Sequence, residues 1–304
     1  MSGRRGSGGM DELLRNLIIK KWKIGKAQFT FLDMLLAICI TGTGLMLRLS
    51  VVGYTVTDNQ KIGAMLIDFI LAFFCGGLVY DYTGHRNKAF LTYSILVIYP
   101  TMIANSALWG QNSVYSVFFF FVGLYYFVKH IGTRGKWWGL LAIAAGAARA
   151  GIQFRLSGKR LTLGWPNFYE IIGKEAFVEL FNQVSVLCLL GLLLTMTYVF
   201  VKRQVEITKD LALRLFLFLA LLIPYLAPSM PAWAGLTADI AALVYCMRWP
   251  EKFYVPMLHL IVSYSAYAYV INGETKLPMV LYSVILLLLM MDTGAGIYRE
   301  IAEN

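Results

Sequence analysis

Charge is scarce in this 304-residue chain: 14% of its residues are Asp, Glu, Lys or Arg, while 59% are hydrophobic. A water-soluble domain cannot hide so much apolar surface, whereas a bilayer span needs only about 20 mostly apolar residues. Histidine is scarcer still. His85, His130 and His259 are the only three, and no two stand at metal-ligand spacing, which argues against a histidine-built zinc site. The four cysteines (Cys39, Cys75, Cys188 and Cys246) lie within or at the ends of apolar runs without paired spacing. They read as packing residues and say nothing of redox compartment. No Asn-x-Ser/Thr acceptor occurs, so nothing points to a glycosylated secretory protein. Gly-x-Ser-x-Gly, Walker and dinucleotide fingerprints are also missing.

What is present is a long series of apolar runs with a formal charge of +10. Beside a membrane, that excess reads as the basic bias of cytoplasmic loops and not as a nucleic-acid footprint. The reading is an all-α polytopic membrane protein with about ten transmembrane helices, near 31–51, 62–80, 89–108, 113–128, 137–153, 181–201, 211–227, 234–248, 254–271 and 277–296. Residues 1–30 form a basic cytoplasmic arm, and Asp11–Lys26 reads as an amphipathic interfacial helix. Residues 31–304 form one transmembrane domain with an extracytoplasmic loop at 150–180. With both termini cytoplasmic, 19 of the 27 Lys and Arg residues fall on that side.

Every chemically odd stretch then lands on the opposite face: Tyr54–Asp58, Trp109–Asn112, Arg155–Lys174 and Pro228–Trp233. Random loop polarity would be divided between the faces, so their coincidence predicts one extracytoplasmic site. Trp109-Gly110-Gln111-Asn112 reads as the lip of a cavity or, more plainly, as an interfacial turn with an aromatic anchor. Arg149, Arg155, Lys159 and Arg160 break the positive-inside rule and suit a lipid phosphate. If 137–153 does not span, the same cations become ordinary cytoplasmic ones. Asp58 is the one carboxylate of the first outer loop, either a helix cap or a general base. Asp68, Asp239 and Asp292 stand inside apolar runs, where a carboxylate marks a buried polar or functional site. Pro224, Pro228 and Pro231 stop a helix and pre-set an extended loop ending at Trp233.

Taken in order, these pieces resemble a known group. Leu108-Trp109-Gly110-Gln111, followed by Tyr115, is similar to the Trp-Gly-Gln-x-Asp segment of bacterial GT-C fold glycosyltransferases, the mannosyltransferase-like integral membrane enzymes. Ile67-Asp68 looks like the buried acid preceding that motif. Leu161–Tyr169 resembles the outer-loop Pro-Asn motif, and Pro224–Tyr245 resembles the proline-rich stretch ending in Ala-Asp. The chain departs from the pattern where Ser113 stands in the place of the motif acid and where Pro231-Ala232-Trp233-Ala234 replaces a charged His-Glu-Arg-Tyr element.

The resemblance implies an extracytoplasmic transferase that takes sugar from a polyprenyl-phosphate donor. Asp58 is then the catalytic base, and Arg149, Arg155, Lys159 and Arg160 hold the donor phosphate. Tyr54, Asp68, Trp109, Gln111, Asn112, Trp165, Asn167 and Trp233 shape the substrate pocket. No cofactor is required, and a divalent cation between Asp58 and the substrate phosphate is left open. The expected partners are membrane lipids, the polyprenyl-phosphate sugar and an envelope-assembly protein, with no nucleic acid, in a bacterial plasma membrane. Two further readings stand beside it: a catalytically inactive GT-C-like subunit that assists an envelope glycan assembly complex, and a lipid-linked-sugar flippase.

Overall fold

The computed structural model describes residues 20–24, 27–52, 58–155, 160–172 and 178–303. The first described elements pair as antiparallel strands, β1 (Lys21–Ile24) and β2 (Ala27–Thr30), with Lys21 opposite Thr30 and Ile24 opposite Ala27. This corrects the expected interfacial helix at its C-terminal end. Lys21-Trp22-Lys23-Ile24 alternates polar and apolar, a period of two that suits a strand, and Gly25 follows as a poor helix former.

Helix α1 (Phe31–Val51) then opens on a capping box. Thr30 Oγ1 accepts from the Asp33 amide at 3.3 Å while Asp33 accepts from the Thr30 amide at 2.7 Å, satisfying two otherwise orphaned donors. The following helices are α2 (Asp58–Thr83), α3 (Arg86–Val97), the single turn α4 (Pro100–Ile103) and a π-helical turn, Ala104–Leu108. Then come α5 (Ser113–Lys129), α6 (Lys136–Arg155), the two-residue strand β3 (Thr162–Leu163), the short α7 (Phe168–Ile172) and α8 (Val178–Lys202). The chain ends with α9 (Lys209–Leu226), β4 (Met230–Pro231), a 3-10 turn Ala232–Gly235, α10 (Leu236–Arg248), α11 (Tyr254–Asn272) and α12 (Met279–Glu303).

Each of the ten apolar runs is helical, and the chain is a multi-pass helical membrane protein. Among the described residues, however, five helices are long and apolar enough to cross a bilayer. A sixth counts if Arg86–Val97 and Pro100–Leu108, bent by 41° at their junction, form one span. The expected ten is too many for identifiable reasons. Helix α5 has 17 residues and α10 has 13. Lys209, Asp210 and Arg214 crowd the start of α9, and Arg149 interrupts α6. Apolar periodicity marks a buried helix as readily as a spanning one.

Helix α10 is the centre. Ten of its 13 residues are buried, which is the state of a helix apolar on every side. Helices α1 and α8 lie at the periphery, with 11% and 6% of their apolar windows buried. Helices α5 and α6 form a tight hairpin. A Cβ on Gly123 would stand 2.7 Å from the Gly139 carbonyl, and one on Gly139 would stand 2.6 Å from the Phe127 amide. Small residues let two helix backbones approach this closely in a membrane. Gly123→Leu is therefore expected to force the hairpin apart and to lower stability by about 1–3 kcal/mol, the usual cost of overpacking. A thermal melt in detergent checks this, and an unchanged midpoint would show that the backbones need no such approach.

Loops expected on one face do meet at one end. Tyr82 donates to the Lys209 carbonyl at 3.0 Å and Lys88 to the Met247 carbonyl at 2.9 Å. Arg248 pairs with Asp210 at 2.7 Å, Lys252 with Asp292 at 2.7 Å and Arg214 with Glu300 at 3.0 Å. The opposite end holds Trp109–Asn112, residues 160–172 and Pro228–Trp233, while 53–57, 156–159 and 173–177 lie outside the described residues.

Candidate functional site

The site is built by two non-helical segments that satisfy each other's backbone. β3 and β4 pair in parallel, Thr162 with Met230 and Leu163 with Pro231. The Trp165 amide donates to the Met230 carbonyl at 3.2 Å and the Ser229 amide to the Leu161 carbonyl at 2.8 Å. Ser229, at φ 56°, sits in the left-handed region and is held there by that bond and by its hydroxyl on the Arg160 carbonyl. Gly164, at φ 93°, meets α11 so closely that a Cβ would stand 2.4 Å from Val270. Asn167 closes the segment. Its Nδ2 donates to the Leu161 carbonyl at 3.1 Å, its Oδ1 accepts from the Tyr169 amide at 3.1 Å, and its carbonyl accepts from Ser283 at 2.7 Å.

This clasp covers one end of the bundle. Gly164 meets Val270 near the end of α11, Tyr169 donates to the Leu226 carbonyl at the end of α9 at 3.0 Å, and Ser283 reaches Asn167 from the first turns of α12. Irregular backbone beside apolar helices needs its polar groups satisfied by protein or by a water-lined cavity. Here it delivers Trp165 to the interior. The indole is 2% exposed, rests on Gly235, where a Cβ would stand 2.0 Å from the ring, and lies 5.8 Å from the His259 ring.

Beneath it is an acid–imidazole pair with no solvent exposure. Asp239 Oδ1 is 2.7 Å from His259 Nδ1, while its Oδ2 accepts from Thr101 at 2.8 Å and from Ser263 at 2.7 Å. A buried carboxylate is tolerable when its lone pairs are matched in this way. Nearby, Asn105 Oδ1 accepts from Ser113 at 2.8 Å and from Tyr267 at 3.2 Å. Trp109, half-buried, packs edge-on against Tyr267 with ring centroids 5.7 Å apart. Gly110, at φ 67°, turns the chain so that the Gln111 amide reaches the Asn105 carbonyl at 2.9 Å.

A second buried pair lies on the α1 side. Arg48 and Asp68 are 3.0 Å apart, both without side-chain exposure. Ser106 donates to the same Asp68 oxygen at 2.5 Å. Arg48 also donates to the Val97 carbonyl at 2.6 Å, just before Pro100, whose missing N–H breaks the helix there.

The predicted site residues divide accordingly. Trp109, Gln111, Trp165 and Asn167 join this nest, while Asp68 is held by Arg48. Trp233 lies half-buried in the 3-10 turn beside Gly235, and Asn112 immediately precedes α5. Arg149 is exposed and stacks over Tyr115 at 5.0 Å, and Arg160 is exposed beside the clasp. Asp58 begins α2 and Arg155 ends α6, but their side chains, like Tyr54 and Lys159 entirely, lie outside the described residues. No group of three or more His, Cys, Asp or Glu residues suited to a metal occurs among the described residues.

The sequence reading missed Arg48, Thr101, Asn105, Ser263 and Tyr267, and it held Asp239 and His259 apart. One signal was available: Arg48 is a charge near the end of an apolar run, and such a charge needs an acid within reach. The open cavities lie elsewhere. One of about 540 Å³ is lined by Asp81, Lys209, Arg248 and Glu300, and another of about 330 Å³ by Arg214, Lys252, Asp292 and Arg299. These clefts are formed by half-exposed ion pairs, which contribute only about 0–1 kcal/mol each. The buried nest, not the larger openings, brings together an acid, an imidazole and aromatic donors. Comparison with protein-family models, curated proteins and solved structures finds no match.

Proposed function

We propose that this chain is a membrane glycosyltransferase that moves a sugar from a polyprenyl-phosphate donor to an envelope or lipid-linked acceptor. It acts at the extracytoplasmic face of a bacterial plasma membrane, with its helices in a GT-C-like arrangement and both termini cytoplasmic. The support is the meeting of segments far apart in sequence. Leu161–Asn167 and Ser229–Asp239, two of the stretches that carry the resemblance, meet at one acid–imidazole pair through Trp165 and Asp239, and a third, Trp109–Gln111, packs on Tyr267 and Asn105. In this reading Asp58 takes the proton of the acceptor hydroxyl, and Arg149, Arg155, Lys159 and Arg160 neutralise the departing lipid phosphate. Such charge stabilisation typically supplies roughly 10²–10³-fold in rate per contact.

The test is transfer of labelled sugar from undecaprenyl-phosphate mannose or glucose in reconstituted vesicles. Asp58→Asn is expected to slow transfer by about 10²–10⁴-fold, the range for losing a general base, with donor binding retained. Transfer at the wild-type rate would remove Asp58 from the chemistry. One observation favours a second reading, a non-catalytic subunit of an envelope glycan assembly complex. Ser113 occupies the place of the motif acid, and its hydroxyl is engaged by Asn105. Co-purification with a second protein at fixed stoichiometry, without transfer by either wild type or variant, would select that reading. Movement of labelled lipid across the bilayer without transfer would select a flippase.

A further inference from the structure

We infer that Trp165 and His259 together form a subsite that recognises one hydroxyl group of the sugar, an inference that rests on the glycosyltransferase reading above. Both side chains are at least nine-tenths buried, and each carries a polar atom, Trp165 Nε1 and His259 Nε2, without a hydrogen-bond partner among the described residues. The two rings are neighbours, 5.8 Å apart and tilted by 42°. An orphaned buried donor or acceptor costs roughly 1–3 kcal/mol, and two of them on neighbouring rings point to a common occupant.

The chemistry of that occupant follows from the partners. Indole N–H can only donate. The other imidazole nitrogen, Nδ1, faces Asp239 Oδ1 at 2.7 Å, and Thr101 and Ser263 donate to the second carboxylate oxygen. An ionised carboxylate only accepts, so Nδ1 carries the proton, and in that tautomer of the uncharged ring Nε2 presents a lone pair. The subsite therefore offers one donor and one acceptor. A phosphate oxygen would meet the lone pair, an ammonium would meet the indole hydrogen, and an apolar group would satisfy neither. An alcohol O–H accepts from Trp165 and donates to His259 at the same time. Water shares that chemistry, so the experiment must separate the two.

The probes are undecaprenyl phosphate, undecaprenyl-phosphate mannose and the set of monodeoxy mannose adducts. They are added to the full chain in nanodiscs, with His85→Gln and His130→Gln leaving His259 as the one ¹⁵N-labelled imidazole. The mannose adduct is expected to shift the Nε2 resonance while undecaprenyl phosphate alone does not. One monodeoxy adduct is expected to bind roughly 10–150-fold more weakly, the range for leaving a buried group unmatched. Trp165→Phe, which keeps an aromatic ring and removes the donor, should flatten that discrimination. His259→Asn, whose amide can still donate to Asp239 while Nε2 is lost, should do the same and guards against a folding artefact. If undecaprenyl phosphate binds but no adduct moves Nε2, or all deoxy adducts bind alike because water fills the site, the subsite is refuted and the transferase reading survives. If no polyprenyl ligand binds at all, both fall.

Discussion

Arg48→Met is expected to destabilise the fold by about 3–5 kcal/mol, the usual result of stranding one partner of a buried ion pair. Asp68 would be left as an uncompensated carboxylate with Ser106 as its remaining donor. The loss extends beyond charge. Arg48 Nη1 donates to the carbonyls of Gly44 at 3.1 Å and Val97 at 2.6 Å, and its guanidinium lies 4.8 Å from the Phe69 ring. The Val97 bond matters most, because the helix breaks at Pro100 and Arg48 satisfies a carbonyl left at the end of α3. Asp68→Leu alone should be comparably harmful, since it strands the cation. The double variant should recover much of the pair term, because apolar replacement of a buried pair is often nearly neutral. Recovery should stop short of wild type, since the Val97 carbonyl still lacks its donor. Denaturant titrations of both single variants and the double variant provide the coupling energy. A loss below about 1 kcal/mol for Arg48→Met would mean that the pair is not buried as described.

Asp239→Ala should cost at least about 3 kcal/mol, because the donors from Thr101, Ser263 and His259 lose their shared acceptor at once and each stranded group costs roughly 1–3 kcal/mol. Asp239→Asn separates charge from geometry. Its carbonyl oxygen can still accept from Thr101 and Ser263, while its NH₂ faces His259 Nδ1 and forces that nitrogen to accept. The imidazole proton then moves to Nε2. The expected result is a protein that melts closer to wild type than the alanine variant does, yet shows the opposite tautomer in its ¹⁵N spectrum. An unchanged tautomer would indicate that the Asp239 contact does not orient the ring.

Legibility from sequence followed the physics of each signal. Hydrophobic runs locate helices well, and all ten fell where helices are. They do not report whether a helix faces lipid or other helices, which is why α10 was counted as a span although protein surrounds it. Trp109, Gln111, Trp165 and Asn167 stood out because a tryptophan, a positive-φ glycine or a proline-rich turn is locally conspicuous. Asp239 and His259 were each noticed as polar residues in apolar runs. Their union was hidden, because 20 residues and a turn separate them and only packing of α10 on α11 brings them together. At the N-terminus two periods competed over the same few residues, and alternation prevailed at Lys21–Ile24.

The shortness and extensive burial of α10 bear on how the protein is made. A segment of 13 residues with a carboxylate in its first turn is a poor substrate for one-by-one insertion, since a span needs about 20 mostly apolar residues and an intramembrane acid is costly. Helix α8, with 25 residues and almost no protein contact, carries its own driving force into lipid. Helix α10 does not. Of the three side chains that match its acid, Thr101 is made before α10, but His259 and Ser263 belong to α11, which the ribosome has not yet delivered when α10 emerges. Stable insertion of α10 is therefore expected to wait for Tyr254–Asn272, with the two helices entering the membrane as a pair.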